Sequence, residues 1–268
     1  GNVLTAGINA FMHDSAVCLV HDGKVVAYAE EERFNREKHT GRFPSRSLNW
    51  CLAEAGAEIS DIDTTGFYWQ PWKGLTTRLG LLLRGRPAAL FNPGGRYRIL
   101  YVMSRLPIHL KQRWNYHGRF HFLDHHRCHA ASAFYLSPFN RSAILSLDAN
   151  GEQDTALLAV GTGTHIEEIE RIRYPHSLGL LYLSVTEYLG FRENCEEGKV
   201  MGLAAYGKPR YLPEFRQVVH IKPNGRFTLQ TRYFDVHLTK KRYLTDEFEH
   251  LVGPRRKQNE PLDQRHAD

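Results

Sequence analysis

Residues 124–132 read Asp-His-His-Arg-Cys-His-Ala-Ala-Ser and lie between two strand-like runs, 120–123 and 141–147. A histidine-rich stretch that leaves one strand, enters a helix and leads to another strand restricts the fold to an α/β frame. His125 and His129 are four apart, so on a helix both imidazoles share one face. Two neutral imidazoles at that spacing can grip a divalent cation, with a carboxylate from elsewhere completing an open site. The turn Asp148-Ala149-Asn150-Gly151-Glu152 ends the next strand-like run and offers Asp148 as that carboxylate. The same residues admit a structural reading, in which one histidine caps the helix and the other is buried and hydrogen-bonded.

Strand patterns also cover 3–9, 16–20, 24–29, 65–69, 155–160 and 166–172. Asp22-Gly23 between two of them predicts a tight hairpin. Pro44 followed by 45–52 predicts a helix ending near Gly56, and 178–189 predicts another with Gly190 beyond its end. The segment between is expected to be partly helical, with breaks at Pro87, Pro93-Gly94-Gly95 and Pro107. After Pro209 the pattern weakens, and 253–268 shows no closing element. No internal repeat is visible. Hairpin, strand and helix, then hairpin again, indicate α/β with a mixed sheet.

The 268 residues and 42% apolar content fit a folded chain with a substantial core. No apolar run reaches the roughly 18–20 residues of a membrane span, and no signal-peptide layout opens the chain. The four cysteines form no Cys-x-x-Cys pair, which argues against a zinc ribbon or a disulfide framework and fits a reducing cytoplasm. The net charge of +6 belongs to one segment: residues 64–123 hold ten Lys or Arg and no Asp or Glu. Trp69, Trp72, Phe91, Tyr97, Tyr101, Trp114 and Tyr116 are interleaved with them. Such a mixture can bind RNA or an anionic ligand, form a solvated face, or dock an acidic domain. No RNA-binding motif accompanies it, so nucleic acid is disfavoured as a partner.

Three further groups carry chemistry. In 7–16 a strand ends in a short polar loop, where backbone amides around Asp14 and Ser15 can meet phosphate oxygens. His13 lies there, and Asp14 can orient its imidazole for removal of a proton from a hydroxyl. Glu31-Glu32-Arg33-Phe34 with Lys38-His39 sets cations that can hold an anionic donor. Glu197 to Gly207 is rich in small residues and opens on Glu197, which can accept hydrogen bonds from ribose hydroxyls. Each has a structural counterpart: a loop histidine, a charged face, a packed Gly/Ala helix.

Taken in order, these motifs resemble the O-carbamoyltransferases, the family of the nodulation-factor enzymes and the antibiotic enzymes of the tobramycin carbamoyltransferase type. The resemblance runs through Gly7-Ile8-Asn9, His13-Asp14-Ser15-Ala16, Glu31-Glu32-Arg33-Phe34, Lys38-His39 and Phe43-Pro44. It continues with His125-His126-Arg127-Cys128-His129-Ala130, Asp148, Gly151-Glu152 and 197–204. It covers nearly the whole chain and is weak over about 73–117 and after Tyr211.

The resemblance implies an actin-like ATPase (ASKHA), ribonuclease H-like subdomain with a mixed sheet, similar to the tRNA threonylcarbamoyltransferase fold. Residues 1–210 would form its first lobe, with a basic helical insertion at about 73–117, and 211–268 would begin a region whose remainder is absent. It implies ATP, carbamoyl phosphate as donor, a divalent metal, commonly Fe2+, and a hydroxyl of a small-molecule acceptor. A C-terminal YrdC-like domain would make carbamoyl adenylate. By motif, His125, His129 and Asp148 would be metal ligands. Gly151 and Glu152 would lie by the phosphates, Glu197 by the ribose, and His13 and Lys38 at the transfer site. The expectation is half of a nucleotide cleft, with residues after Tyr211 packing poorly or leaning on another copy or domain, and apolar surface exposed near both the histidine helix and 197–207. Two other readings stand beside it: a tRNA threonylcarbamoyltransferase-like enzyme and a non-catalytic partner-binding module.

Overall fold

The structure is a computed structural model and describes residues 2–73, 96–235 and 243–268. Pro87, Phe91, Pro93-Gly94-Gly95 and the Tyr97 side chain lie outside the described residues. The described chain forms two compact units, 2–73 with 96–128, and 129–235 with 243–268.

In the first unit, strands β1 (Leu4–Asn9), β2 (Ala16–His21), β3 (Lys24–Glu30), β4 (Thr64–Phe67) and β5 (Arg119–Phe122) form one sheet in the order β3-β2-β1-β4-β5. The first three pair antiparallel, whereas β4 and β5 run parallel to β1. This is the mixed sheet, in the ribonuclease H-like order, that the resemblance implies. Alternation sets its faces: Leu4, Ala6 and Ile8 of β1 are buried. Asp22 and Gly23 take φ values of 46° and 79°, the two left-handed residues of a primed hairpin turn.

Helix α1 (Glu32–Asn35) is a single turn, and α2 (Ser45–Ala55) buries Ser47, Leu48, Cys51 and Leu52 along one face. The residue before α2 provides no side-chain cap. Buried Glu31 does so from a distance, accepting from Ser47 N at 2.8 Å, Ser47 Oγ at 2.9 Å and Arg46 N at 3.3 Å. Glu31 therefore anchors a helix rather than a ligand. Glu31→Ala strands those donors, and the expected loss of unfolding free energy is about 2–3 kcal/mol. It is read as a lower denaturant midpoint at constant m-value; an unchanged midpoint would contradict this role.

Helices α3 (Arg96–Ser104) and α4 (Leu106–Trp114) carry the described part of the basic segment. Their Met103, Leu106 and Leu110 are fully buried with Leu48 and Phe67. Arg98, Arg105, Lys111 and Arg113 stay exposed. The described part of the segment thus contributes to the core of this unit. The helical run breaks at Arg105, beside Pro107 as expected, and Pro107 sits in the first turn of α4, where its missing N–H costs nothing.

Helix α5 (His125–Phe134) runs through the division of the chain. Its Ala130 and Phe134 pack on Ile144, Leu157, Ala159 and Ile166 of the second unit. The strands there are β6 (Arg141–Leu147), β7 (Asp154–Thr162) and β8 (His165–Arg173), antiparallel in that order. This meander repeats the β1-β2-β3 arrangement: a site-bearing loop joins the first two strands and a tight turn joins the last two. The repeat is one of backbone topology, not of side chains, which is why the sequence does not display it.

The second unit continues with α6 (Leu178–Tyr188), α7 (Glu197–Ala204), α8 (Leu212–Val218), the hairpin β9 (Val219–Ile221) and β10 (Phe227–Leu229), α9 (Asp246–Val252) and α10 (Gln264–Ala267). Val218, Leu229, Tyr233, Phe234, Leu244, Phe248 and Val252 form one buried cluster with Leu181, Tyr188 and Val200. Residues after Tyr211 thus share a buried core with α6 and α7, against the first of the two alternatives, and Asp263 caps a closing helix within 253–268. Exposed apolar surface does occur where it was expected. Met201 and Tyr206 are exposed, as are Tyr135 and Leu136 directly after the histidine helix, although Val200 is buried. No helix among the described residues is long and apolar enough to cross a membrane.

Candidate metal and proton-transfer centres

Asp124, not a histidine, caps α5: its Oδ1 accepts from Arg127 N at 3.0 Å, and Lys73 pairs with its other oxygen. Neither His125 nor His129 is the cap. The His125 ring lies edge-on to Trp69, with centroids 5.3 Å apart, and beside Tyr68. His129 Nε2 stands 3.5 Å from Asp148 Oδ2 at the end of β6. One ligand atom from each of His125, His129 and Asp148 lies within 4.8 Å of the others, the one such group among the described residues. Because the helix is continuous, a single turn of it and the end of the strand it packs on define this triad. Two imidazole nitrogens and one carboxylate with open positions fit a divalent cation.

Asp148 is held from behind. Its N–H donates to Thr155 O at 2.9 Å, and its Oδ1 accepts from Ala149 N at 2.6 Å. Ser177 Oγ donates to the Asp148 and Ala149 carbonyls at 2.9 and 2.8 Å and accepts from Leu180 N, capping α6. Gly179 lets that helix end approach, since a Cβ there would sit 2.5 Å from the Asp148 carbonyl carbon. Sequence reasoning passed over both residues. The signal was a serine just before an apolar helical run, which is an N-cap. Gly151 and Glu152 are buried in the same turn, with Gly151 N donating to Asp154 O at 2.8 Å. Glu197 opens α7 half-buried, and its Oε1 accepts from Asn194 N at 2.6 Å. Burial, then the Glu197 charge, push the Tyr182 phenol up.

In the first unit, His13 Nδ1 lies 2.8 Å from Asp14 Oδ2, as the adjacent pair suggested. Burial raises the Asp14 carboxyl, but its bonds to His13 and His39 outweigh that and hold it below the ordinary carboxylate value. The second contact belongs to His39, at 2.9 Å, whereas the neighbouring Lys38 is exposed. The loop is not a row of free amides for phosphate. Phe11 N donates to Gly41 O at 2.8 Å and Ser15 N to Thr40 O at 2.9 Å. Two thiols of this unit are poorly suited to nucleophilic chemistry: burial pushes Cys18 up, and Cys51 to about 11.

Residues 5–78 and 89–261 match the family described as carbamoyltransferase N-terminus, and the chain belongs to that family. It is 38% identical over 273 residues to the uncharacterized protein sll1178 of Synechocystis, covering 98% of this chain and 44% of that protein. It is 37% identical over 235 residues to the nodulation protein NolNO of Sinorhizobium fredii, covering 82% of this chain and 32% of that protein. The chain thus spans less than half the length of these curated relatives. Among solved structures it is similar to YeaZ from Pseudomonas aeruginosa at 13% identity and a TM-score of 0.33, covering 64% of this chain and 68% of that one.

Proposed function

We propose that a protein containing this chain is an ATP-dependent O-carbamoyltransferase. It moves a carbamoyl group from carbamoyl phosphate, through carbamoyl adenylate, to a hydroxyl of a small natural product such as an antibiotic or a sugar. The family match over both spans carries the reading, and the two centres support it.

In the transfer step the acceptor hydroxyl oxygen attacks the carbamoyl carbon. A carbon–oxygen bond forms there, the bond from that carbon to the adenylate phosphate oxygen breaks, and AMP leaves with the electron pair. The acceptor's proton passes to Nε2 of His13. Asp14 makes this atom the base, because a carboxylate accepting from Nδ1–H leaves Nε2 with its lone pair. Lys38 is assigned to the anionic donor.

His125, His129 and Asp148 would hold the divalent metal, and a two-histidine, one-carboxylate set supports Fe2+ as its identity. When bound, the cation neutralises phosphate charge and polarises the carbonyl. Gly151 and Glu152 are assigned to the phosphates and Glu197 to the ribose. A YrdC-like domain is the proposed partner that forms the adenylate.

The test is mass spectrometry of products from a protein of the relatives' length that contains this chain, given ATP, carbamoyl phosphate and candidate hydroxyl compounds. The expected product is an acceptor heavier by one carbamoyl group, formed only with ATP present. Transfer of a threonylcarbamoyl group from its adenylate to tRNA in a parallel reaction, with no small-molecule product in the first, would replace this reading.

A further inference from the structure

Asp14 binds two imidazoles, not one. His13 Nδ1 meets its Oδ2 at 2.8 Å, and His39 Nδ1 meets its Oδ1 at 2.9 Å, across 25 residues of sequence. The second contact is built in by the backbone. Phe11 N to Gly41 O and Ser15 N to Thr40 O lace the two segments together at 2.8 and 2.9 Å. Gly41 permits the approach, since a Cβ there would lie 2.5 Å from Met12 O. Asn9 Nδ2 donates to Asp14 O at 2.7 Å, and Glu32 Oε2 accepts from His39 N at 3.3 Å. Asp14 and His39 both adopt left-handed backbone, at φ 52° and 55°. Such conformations are uncommon for non-glycine residues and persist where the surroundings over-determine them.

We propose that His39 is a positioning residue for His13, acting through Asp14. A carboxylate held at one oxygen can turn about its Cβ–Cγ bond and release or re-aim the imidazole it holds. With His39 on the second oxygen that rotation is blocked, so His13 keeps one tautomer and one ring orientation. Both rings then donate Nδ1–H and both present Nε2 as an acceptor. This inference rests on the proposed function only in taking His13 as the base of the transfer; the geometry itself concerns this chain alone.

Nitrogen-15 NMR of the histidine-labelled 268-residue chain at neutral pH tests it without substrate. His13 and His39 are both expected in the Nδ1–H tautomer. In His39→Ala the His13 signals shift toward the Nε2–H form that a free imidazole favours. In His39→Asn, whose amide N–H reaches close to the Nδ1 position, they return. In the active protein His39→Ala lowers kcat by roughly tenfold at unchanged KM, short of the ~10²–10⁴-fold that a general base contributes. His13 in the Nε2–H form in the unsubstituted chain overturns the proposal whatever the variants do. So does a His13 tautomer that His39→Ala leaves in place. Neither result depends on finding carbamoyl transfer, and absence of transfer with the expected tautomers would count against the proposed function alone.

Discussion

His13→Ala is expected to slow carbamoyl transfer by about 10²–10⁴-fold, the contribution of a positioned general base. Formation of carbamoyl adenylate should continue at its normal rate, because that step is assigned to another domain. The separation is what makes the experiment informative. His13 is exposed and reaches only Asp14 through its ring, so removing it disturbs no core packing. Adenylate is measured by its accumulation without acceptor, and transfer by single turnover of the accumulated adenylate. Equal loss of both half-reactions would deny His13 its role as base and leave it a structural one.

Asp148→Ala is expected to weaken divalent-metal binding by more than about 100-fold, since loss even of an outer-shell partner typically costs 10–100-fold. Titration calorimetry with Fe2+ under anaerobic conditions, or with Mn2+ as a substitute, measures it. The unsubstituted chain should also gain thermal stability with added metal, and the variant should not. The reasoning is geometric. His125 and His129 supply two nitrogens from one helix turn, and Asp148 is the oxygen ligand that β6 brings within 4.8 Å of them. Metal-dependent stabilisation that survives in Asp148→Ala would place the ion elsewhere.

Much of this arrangement is legible along the chain because it depends on local periodicity. Four-residue spacing fixes that His125 and His129 share a helix face, and adjacency puts Asp14 beside His13. Asp22-Gly23 sets a hairpin whatever surrounds it, since both residues tolerate positive φ. Helix α2 ends at Gly56 for a similar reason, its C-cap lying at φ 60°. The elements after Tyr211 were not legible, because they are short and held by burial against α6 and α7 rather than by propensity.

Three assignments changed for one physical reason. Glu31 looked like part of a charged ligand site and proved to cap α2, 14 residues after it in sequence at Ser45. His39 carried no role of its own along the chain, and it meets Asp14. Ser15 looked free to offer its amide, and Thr40 accepts it. Residue type and spacing determine which chemistry a chain can offer and which elements it can form. Which donor meets which acceptor depends on the distance at which two remote segments cross. That distance is set by packing, by a missing Cβ at Gly41 or Gly179, and by backbone amides that must be satisfied once they leave water. The sequence by itself determined the histidine helix, the hairpins and the His13–Asp14 pair. Tertiary structure alone decided that Ser177 and Gly179 would hold the Asp148 turn and that Asp14 would serve two imidazoles.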